Sequence, residues 1–225
     1  MKKLERLAEA RTPDGTVLAL QRHDGDYVIR ADGAELMTTR HHHSEDRLAE
    51  LACAPLRDRV GARVLIGGLG FGFTLRAALR VLRSDAQVVV AELVRAVIDW
   101  NDTPEYGLAR TAMHDARVSV RHADVADVLR EGAAAFDAIM LDVDNGPDPM
   151  TTSRNAALYG DAGIRLAAAA LRPGGLVAYW SAQDDRTFER RLRAAGLTVR
   201  VERVWSHGTS GTLHTLFVAG RPVRR

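Results

Sequence analysis

The chain has 225 residues, of which 46% are hydrophobic, and its 31 basic and 29 acidic side chains leave a formal net charge of +2. This length and apolar content fit one domain, or one domain with a small appendage, around a sizeable core. The near balance of charge does not indicate a basic stripe for nucleic acid, and no apolar run reaches membrane-spanning length.

The single cysteine and the N-terminal sequence indicate where in the cell the protein is expected. Cys53 has no second cysteine with which to form an internal disulfide, which fits a reducing environment. The N-terminal stretch MKKLERLAEA is charged and lacks the apolar segment of a secretory signal. We therefore expect a cytoplasmic protein that acts on a small molecule and has neither a nucleic-acid nor a membrane partner.

The first 56 residues predict a small appendage to the main domain. Residues 16–40 alternate apolar and polar side chains around two Asp-Gly turns, which predicts two or three short antiparallel strands joined by hairpins. The segment SEDRLAELACAPL then predicts a helix with Ser44 as its N-cap and Glu45 and Asp46 in its first turn. Pro55 ends this helix.

From Arg63 onward, strands and helices alternate. Continuous apolar strands separated by helices predict an α/β domain, residues 57–225, whose parallel sheet is covered on both faces. The last two strands are joined by the short turn SHGTSG and must pair in antiparallel fashion. Five β-α units followed by such a hairpin resemble the seven-stranded Rossmann-type fold of class I methyltransferases. The predicted strands are RVLIGG, QVVVAEL, RVSVRHAD, FDAIMLDVD, LVAYWS, LTVRVERVW and TLHTLFVAG.

A glycine-rich turn follows the first of these strands. Ligands of such sheets bind beyond the carboxyl ends of the strands, so this turn is a candidate cofactor site. The G-x-G-x-G spacing differs from the G-x-G-x-x-G of dinucleotide sites and is typical of S-adenosylmethionine sites, although a tight turn without a ligand is the alternative. The predicted cofactor-binding glycines are Gly67, Gly68, Gly70 and Gly72.

Acids stand at the ends of the next three strands. Glu92 lies about twenty residues past the glycines, where an acid accepts hydrogen bonds from both ribose hydroxyls; a solvated acid is the alternative. Asp124 is placed to accept from an adenine amino group, to cap the following helix, or to do both. Asp142 ends the fourth strand. Together the four strand ends predict an adenosyl cofactor.

Between about Asp32 and Gly175, the sequence resembles the spermidine synthases and their relatives. The most specific motifs are FDAIMLDVDNGPDP, which resembles the catalytic strand and loop of that family, and ALYGDAGIRLAAAALRPGG, which resembles the following Leu-Tyr helix. VLIGGLGFGFTLRAAL and RVSVRHAD resemble its glycine motif and its third strand. The resemblance implies an S-adenosyl cofactor, a catalytic role for Asp142 and a homodimer that pairs through its N-terminal strands.

Three features of that family are missing. The family carries an acid where Gly70 stands and, where Asn145 stands, an aspartate that deprotonates the attacking amine; asparagine cannot act as a base. Its helix before the core presents Tyr-His-Glu at positions that align with Arg47, Leu48 and Ala49. We therefore expect methyl transfer from S-adenosyl-L-methionine to a small molecule. Aminopropyl transfer from decarboxylated S-adenosylmethionine, and a non-catalytic adenosyl-binding module, are the alternatives.

The loop after the fourth strand supplies the predicted catalytic groups. Asp142 is expected to orient the acceptor, and Asp144, two residues later on the same face of an extended strand, is expected to be the base, unless the loop is only a polar turn. No metal site is expected, because three adjacent histidines point in different directions; His41, His42 or His43 can instead gate the substrate. The predicted substrate-binding residues are His43, Asn145, Tyr159 and Trp180.

Overall fold

The computed structural model of the chain describes residues 4–143 and 157–223, which form two β-sheets with helices packed against them. Within this described part of the chain, no helix is both long enough and apolar enough to cross a lipid bilayer.

The N-terminal sheet is an antiparallel meander of four strands. Asp-Gly pairs with positive φ make its two later turns, as the sequence predicts: Asp24 and Gly25 have φ values of 55° and 92°. The first strand is an addition to the predicted two or three. Its residues are mostly exposed, so the sequence shows no buried face there, and the homodimer expected through this sheet stays a prediction. The strands are β1 (Glu5–Arg11), β2 (Val17–His23), β3 (Asp26–Ala31) and β4 (Ala34–Thr38).

Helix α1 (His43–Cys53) connects this sheet to the rest of the chain and continues into a 3₁₀ turn at Ala54–Leu56. The predicted N-cap at Ser44 is wrong. The helix begins two residues earlier than that cap implies, with His42 in the cap position, so Ser44 lies inside the first turn. Its hydroxyl bonds the side chains of Glu45 and His214 instead of a backbone N–H.

The second sheet has seven strands in the order β10-β11-β9-β8-β5-β6-β7. β5 to β9 run parallel, and β11 is antiparallel to both of its neighbours, which confirms the predicted fold. The strands are β5 (Arg63–Gly67), β6 (Gln87–Glu92), β7 (Val118–His122), β8 (Phe136–Leu141), β9 (Leu171–Ser181), β10 (Thr198–Trp205) and β11 (Leu213–Gly220).

Helices cover both faces of this sheet. The helix predicted to stop at Pro173 ends at Ala170, because Leu171 already pairs with Phe136 at the start of β9. The helices are α2 (Phe73–Val81), α3 (Arg95–Asp102), α4 (Arg110–Met113), α5 (Val125–Glu131), α6 (Asp161–Ala170) and α7 (Arg186–Ala194), with a 3₁₀ turn at Pro104–Tyr106.

Alternate residues of the strands serve two hydrophobic cores. Leu65 and Ile139 face one core, on the side of α5, α6 and α7. Val64 and Met140 face the other, which includes α1, α2 and, from the N-terminal sheet, Leu20. The N-terminal sheet is thus packed onto the same core as the seven-stranded sheet, although the division of the chain at residue 56 stays a prediction.

The topology places a crevice at the carboxyl edge of the sheet. β5 lies between β6 and β8. The strands that follow β5 are first added on one side of it (β6, β7) and then on the other (β8, β9), so the strand order switches at β5. In open α/β sheets such a switch point is where ligands bind, and here the glycine turn, Glu92 and Asp142 all follow strands that meet there.

At the opposite edge, a buried carboxylate ties the sheet together. Asp137 in β8 is 3% exposed. It accepts the backbone N–H of Arg63 at 2.8 Å and pairs with the guanidinium groups of Arg59 and Arg172, each at 2.8 Å. One carboxylate therefore joins the starts of β5, β8 and β9.

We expect Asp137→Ala to lower the free energy of unfolding by about 3–5 kcal/mol, because it leaves cationic and N–H donors without their acceptor. Urea unfolding measures the change. Asp99→Ala is the control, since the Asp99–Arg95 pair is exposed and is worth less than about 1 kcal/mol. Equal losses in the two variants would contradict the structural role of Asp137.

Candidate active site

A cavity of about 960 Å³, counted to its open mouth, lies at the carboxyl edge of the seven-stranded sheet. Its floor is formed by the strand ends of that sheet. Its opposite wall is apolar and comes from the N-terminal sheet, with Leu18, Ile29 and Met37 among its residues.

Two glycines of the turn after β5 line the cavity. Gly68 has φ +90°, and a Cβ built there would lie 2.1 Å from the backbone oxygen of Asp142. Gly70 has φ +50°, and its Cβ would lie 2.6 Å from the Cε atom of Met37. Only glycine allows the turn to approach the backbone of Asp142 so closely, whereas at Gly70 the positive φ is what favours glycine, because the end of the flexible Met37 side chain can move.

The other two predicted glycines lie outside the lining. A Cβ on Gly67 would meet the Val125 side chain at 2.8 Å, so this position serves the packing of α5. Gly72 has φ +72° in the residue before α2, and its Cβ would lie 2.4 Å from the Ala109 Cβ. Both glycines shape the turn, and the structure does not bring them to the cavity.

Glu92 lines the cavity and also clamps the glycine turn. One carboxyl oxygen accepts the backbone N–H of Leu69 at 2.9 Å, and the other accepts that of Val94 at 2.8 Å. The side chain is 7% exposed, and this burial raises the pKa of the Glu92 carboxyl. The predicted ribose contact stays a prediction, and the clamp is a second role that the sequence did not indicate.

Asp124 caps helix α5, which was one of the two roles predicted for it. Its Oδ1 atom accepts the backbone N–H of Ala126 at 2.8 Å at the start of α5. The residue also lines the cavity, so the predicted adenine contact remains compatible with the cap.

Asp142 reaches the same cavity from the end of β8. Its Oδ2 atom accepts a hydrogen bond from the Thr74 hydroxyl at 2.8 Å, and no cationic side chain among the described residues pairs with it. Burial raises the pKa of the Asp142 carboxyl to about 6. It is therefore mainly ionised at neutral pH and is a stronger base than an ordinary aspartate.

A second acid lines the cavity near Asp142, and nothing in the sequence motifs marks it as a site residue. Glu45, in the first turn of α1, lines the cavity and is 9% exposed. Burial, and then the negative charge of Asp142, raise the pKa of the Glu45 carboxyl to about 8. The two carboxyls thus hold one proton between them at neutral pH. Glu45 lies three and four residues before the buried Leu48 and Ala49, so helical spacing places it on the same inward face of α1. This spacing is the one feature of the sequence that could have identified Glu45.

The described lining is acidic. It contains four carboxyl groups and no lysine, arginine or histidine side chain. Such a cavity favours a ligand that carries positive charge. The four acids are Glu45, Glu92, Asp124 and Asp142.

Trp180 lines the cavity as predicted, while Tyr159 does not. The Trp180 ring lies 4.7 Å from the ring of His214, and its indole Nε1 is buried with no acceptor among the described residues. Tyr159 is 1% exposed and packs on Tyr179, and its hydroxyl donates to the Trp180 backbone oxygen at 3.0 Å. The structure therefore does not bring Tyr159 to the cavity lining, and its hydroxyl holds the backbone of Trp180 instead.

The three adjacent histidines also lie outside the lining, and their rings diverge. His41 lies edge-on to His207 at 4.0 Å, and His42 stacks on Phe73 at 4.2 Å. His43 is exposed near the hairpin at Gly208. The structure therefore does not bring the predicted substrate residue His43 to the cavity. The predicted base Asp144 and the predicted contact Asn145 lie outside the described residues.

We expect Gly68→Ala to destabilise the protein more than Gly25→Ala. Gly25 has nearly the same φ, +92°, with nothing within 4 Å of an added Cβ, so its variant measures backbone strain alone, about 1–3 kcal/mol. The clash at Gly68 adds about 1–3 kcal/mol more, measured by urea unfolding. Equal losses would show that the turn does not pack against Asp142.

We expect the pH dependence of stability to reveal Glu45. Its folded pKa of about 8 lies above the ordinary 4.5, so the folded state binds more protons between these values. The free energy of unfolding therefore falls as pH rises through that window, with a slope of up to about 1.4 kcal/mol per pH unit.

Glu45→Gln should reduce this slope between pH 6.5 and 8, above the range in which His214, whose pKa is lowered from 6.5, titrates. Glu50→Gln, on the exposed side of α1, is the control and should keep the slope. Denaturant titrations across this pH range measure both, and an unchanged slope in Glu45→Gln would mean that Glu45 is ionised in the folded protein.

Comparison with known proteins bears on the fold. No protein-family model and no curated protein match the sequence. Among solved structures, spermidine synthase from Thermotoga maritima superposes with a TM-score of 0.76 at 18% identity, over 99% of this chain and 75% of that one.

Two further solved structures show the same similarity in fold. A spermidine synthase in complex with the transition state analogue AdoDATO gives a TM-score of 0.78 at 17% identity, over 99% of this chain and 76% of that one. A probable spermidine synthase from Corynebacterium glutamicum ATCC 13032 gives 0.65 at 16% identity, over 95% and 79%. The chain therefore has the fold of the spermidine synthases, within the class I methyltransferase type.

Proposed function

We propose that this chain is an aminopropyltransferase of the spermidine synthase type, which moves the aminopropyl group of decarboxylated S-adenosylmethionine to an amine. The observation that carries the proposal is the acidic cavity at the switch point, whose described lining holds four carboxyls and no cationic side chain. The structural likeness to spermidine synthases supports this choice over the methyl transfer expected from the sequence.

Charge distinguishes the two donors. S-adenosylmethionine and its decarboxylated form share the adenosine and the sulfonium, and they differ in one carboxylate. That carboxylate needs a cationic or N–H partner when it leaves water, and the ionised carboxylate of Asp142 would repel it. The decarboxylated donor carries only positive charge on its transferred group, so it fits the cavity better.

In this assignment, the residues at the strand ends hold the nucleoside. Glu92 accepts from the ribose hydroxyls, Asp124 lies on the adenine side, and Gly68 and Gly70 let the backbone approach the donor. The apolar residues of the N-terminal sheet, such as Met37, close the cavity from the other side and exclude water.

The paired carboxyls act on the acceptor. An amine arrives as an ammonium and must lose a proton before it attacks. Asp142, ionised at neutral pH, takes that proton, while the Glu45 side chain helps to hold the positive charge. The amine nitrogen then bonds to the aminopropyl carbon as the carbon–sulfur bond breaks, and 5′-methylthioadenosine leaves. This pair takes the place of the acids missing at Gly70 and Asn145.

Methyl transfer from S-adenosylmethionine is the second candidate, and one observation favours it. At Gly70 the family has an acid for the donor's amino group, whereas here the Met37 methyl lies 2.6 Å from where a Cβ would be. The position where the spermidine synthases hold the amino group of their donor with an acid is therefore apolar here, and this departure from the aminopropyltransferases leaves methyl transfer as the alternative.

Turnover with the two donors, each offered a panel of monoamines and diamines, decides between the candidates. We expect 5′-methylthioadenosine from the decarboxylated donor, with kcat/KM falling as pH drops through about 6, where Asp142 is protonated. Asp142→Asn should lower kcat by about 10²–10⁴-fold. The control Asp99→Asn, an exposed acid, should leave kcat unchanged.

Two outcomes would contradict the proposal. A higher kcat/KM with S-adenosylmethionine, and S-adenosylhomocysteine as the product, would establish methyl transfer. Binding of both nucleosides by calorimetry without turnover of any acceptor would point to the non-catalytic adenosyl-binding module.

A further inference from the structure

A chain of hydrogen bonds leads from the acid pair to the edge of the protein. The Ser44 hydroxyl donates to a carboxyl oxygen of Glu45, and the same Oγ atom lies 2.9 Å from Nδ1 of His214 in β11. Ser44 is 1% exposed, whereas His214 is partly exposed. A buried serine therefore links a cavity carboxyl to the imidazole of a partly exposed histidine.

Every group in this chain can both give and receive a proton. With Glu45 ionised, Ser44 donates to it and accepts from Nδ1–H of His214. With Glu45 protonated, the polarity reverses: Glu45 donates to Ser44, and Ser44 donates to the Nδ1 lone pair of neutral His214. The two states differ by the passage of one proton along the chain.

The charges around both ends set the resting state of the hydrogen-bonded chain, in which Glu45 is protonated and His214 is neutral. Asp142 and Asp46 face Glu45, and both favour its protonated form. His41 and the Trp180 ring lie beside His214; burial, and then the His41 charge, lower the pKa of His214, so it is neutral and able to accept at neutral pH. When Asp142 gains a proton, its charge no longer holds the proton on Glu45, and release toward Ser44 becomes easier.

We propose that Glu45, Ser44 and His214 carry the proton released by the acceptor amine from the cavity to solvent. The inference rests on the proposed transfer to an amine, and it deepens that function by assigning the exit of the proton. Ser44 and His214 are not among the residues that line the cavity, so they act through Glu45.

The steps balance. The acceptor ammonium gives one proton to Asp142, and the nitrogen–carbon bond forms as the carbon–sulfur bond breaks. Glu45 passes its own proton to Ser44 as the Ser44 proton moves to Nδ1 of His214, which releases its Nε2 proton to solvent. Glu45 then takes the proton from Asp142, and the Ser44 hydroxyl rotates back. The imidazole turns away from Ser44, loses its Nδ1 proton to solvent, gains one from solvent at Nε2 and turns back, which restores the starting state with one proton released in total.

Nitrogen NMR of the imidazole in the free protein tests the chain without any turnover. We expect His214 to change from the Nε2–H to the Nδ1–H tautomer as Glu45 ionises, centred near pH 8. Glu45→Gln and Ser44→Ala should abolish the change, and Glu50→Gln, an exposed acid on the same helix, should keep it. A single tautomer in the wild type throughout this range would overturn the inference, since a purely structural bond has no reason to reverse.

Measurement of kcat in variants is the second test. His214→Ala and Ser44→Ala should lower kcat at least about tenfold, and imidazole buffer should restore kcat in His214→Ala only. His207→Ala, in the neighbouring hairpin, is the control and should neither lose kcat nor respond to imidazole. A tautomer change with unaltered kcat in both variants would overturn the proton route. A tautomer change in a wild type that transfers no aminopropyl group would support the route and overturn the proposed function.

Discussion

The site depends on one close backbone contact, between the glycine turn after β5 and the end of β8. Gly68 lies so near the Asp142 carbonyl that no side chain fits there. Glu92 holds the turn in place through two backbone N–H groups, and Thr74, at the start of α2, bonds the Asp142 carboxyl. The contact therefore sets the position of Asp142 and of the cavity floor together.

The N-terminal sheet and α1 complete what the Rossmann sheet begins. The sheet contributes the apolar wall, and α1 brings Glu45 to face Asp142. Two carboxyls without a cationic partner among the described residues are costly to bury, and each responds with a raised pKa. In the proposed reaction a cationic substrate offsets that cost, so the charge that destabilises the empty cavity contributes to substrate recognition.

Local patterns were sufficient for the sheet and its ligand-facing edge. Apolar runs ending in glycine or an acid located β5, β6 and β8, and therefore Gly68, Glu92 and Asp142.

The roles of other residues depend on tertiary contacts that the sequence does not show. Ser44 resembles an N-cap, but its hydroxyl bonds His214, which lies 170 residues away along the chain. Glu45 resembles a first-turn acid, and only the packing of α1 shows that it faces the cavity. Strand β1 has no buried face to mark it, and Tyr159 lies behind Trp180 through contacts that no spacing reveals.

A crystal structure of the protein with 5′-methylthioadenosine and an alkyl diamine tests the central claim most directly. The account predicts the ribose hydroxyls on Glu92 and one ammonium of the diamine within hydrogen-bond distance of both Glu45 and Asp142. A nucleoside bound away from the glycine turn, or a diamine that contacts neither carboxyl, would contradict it.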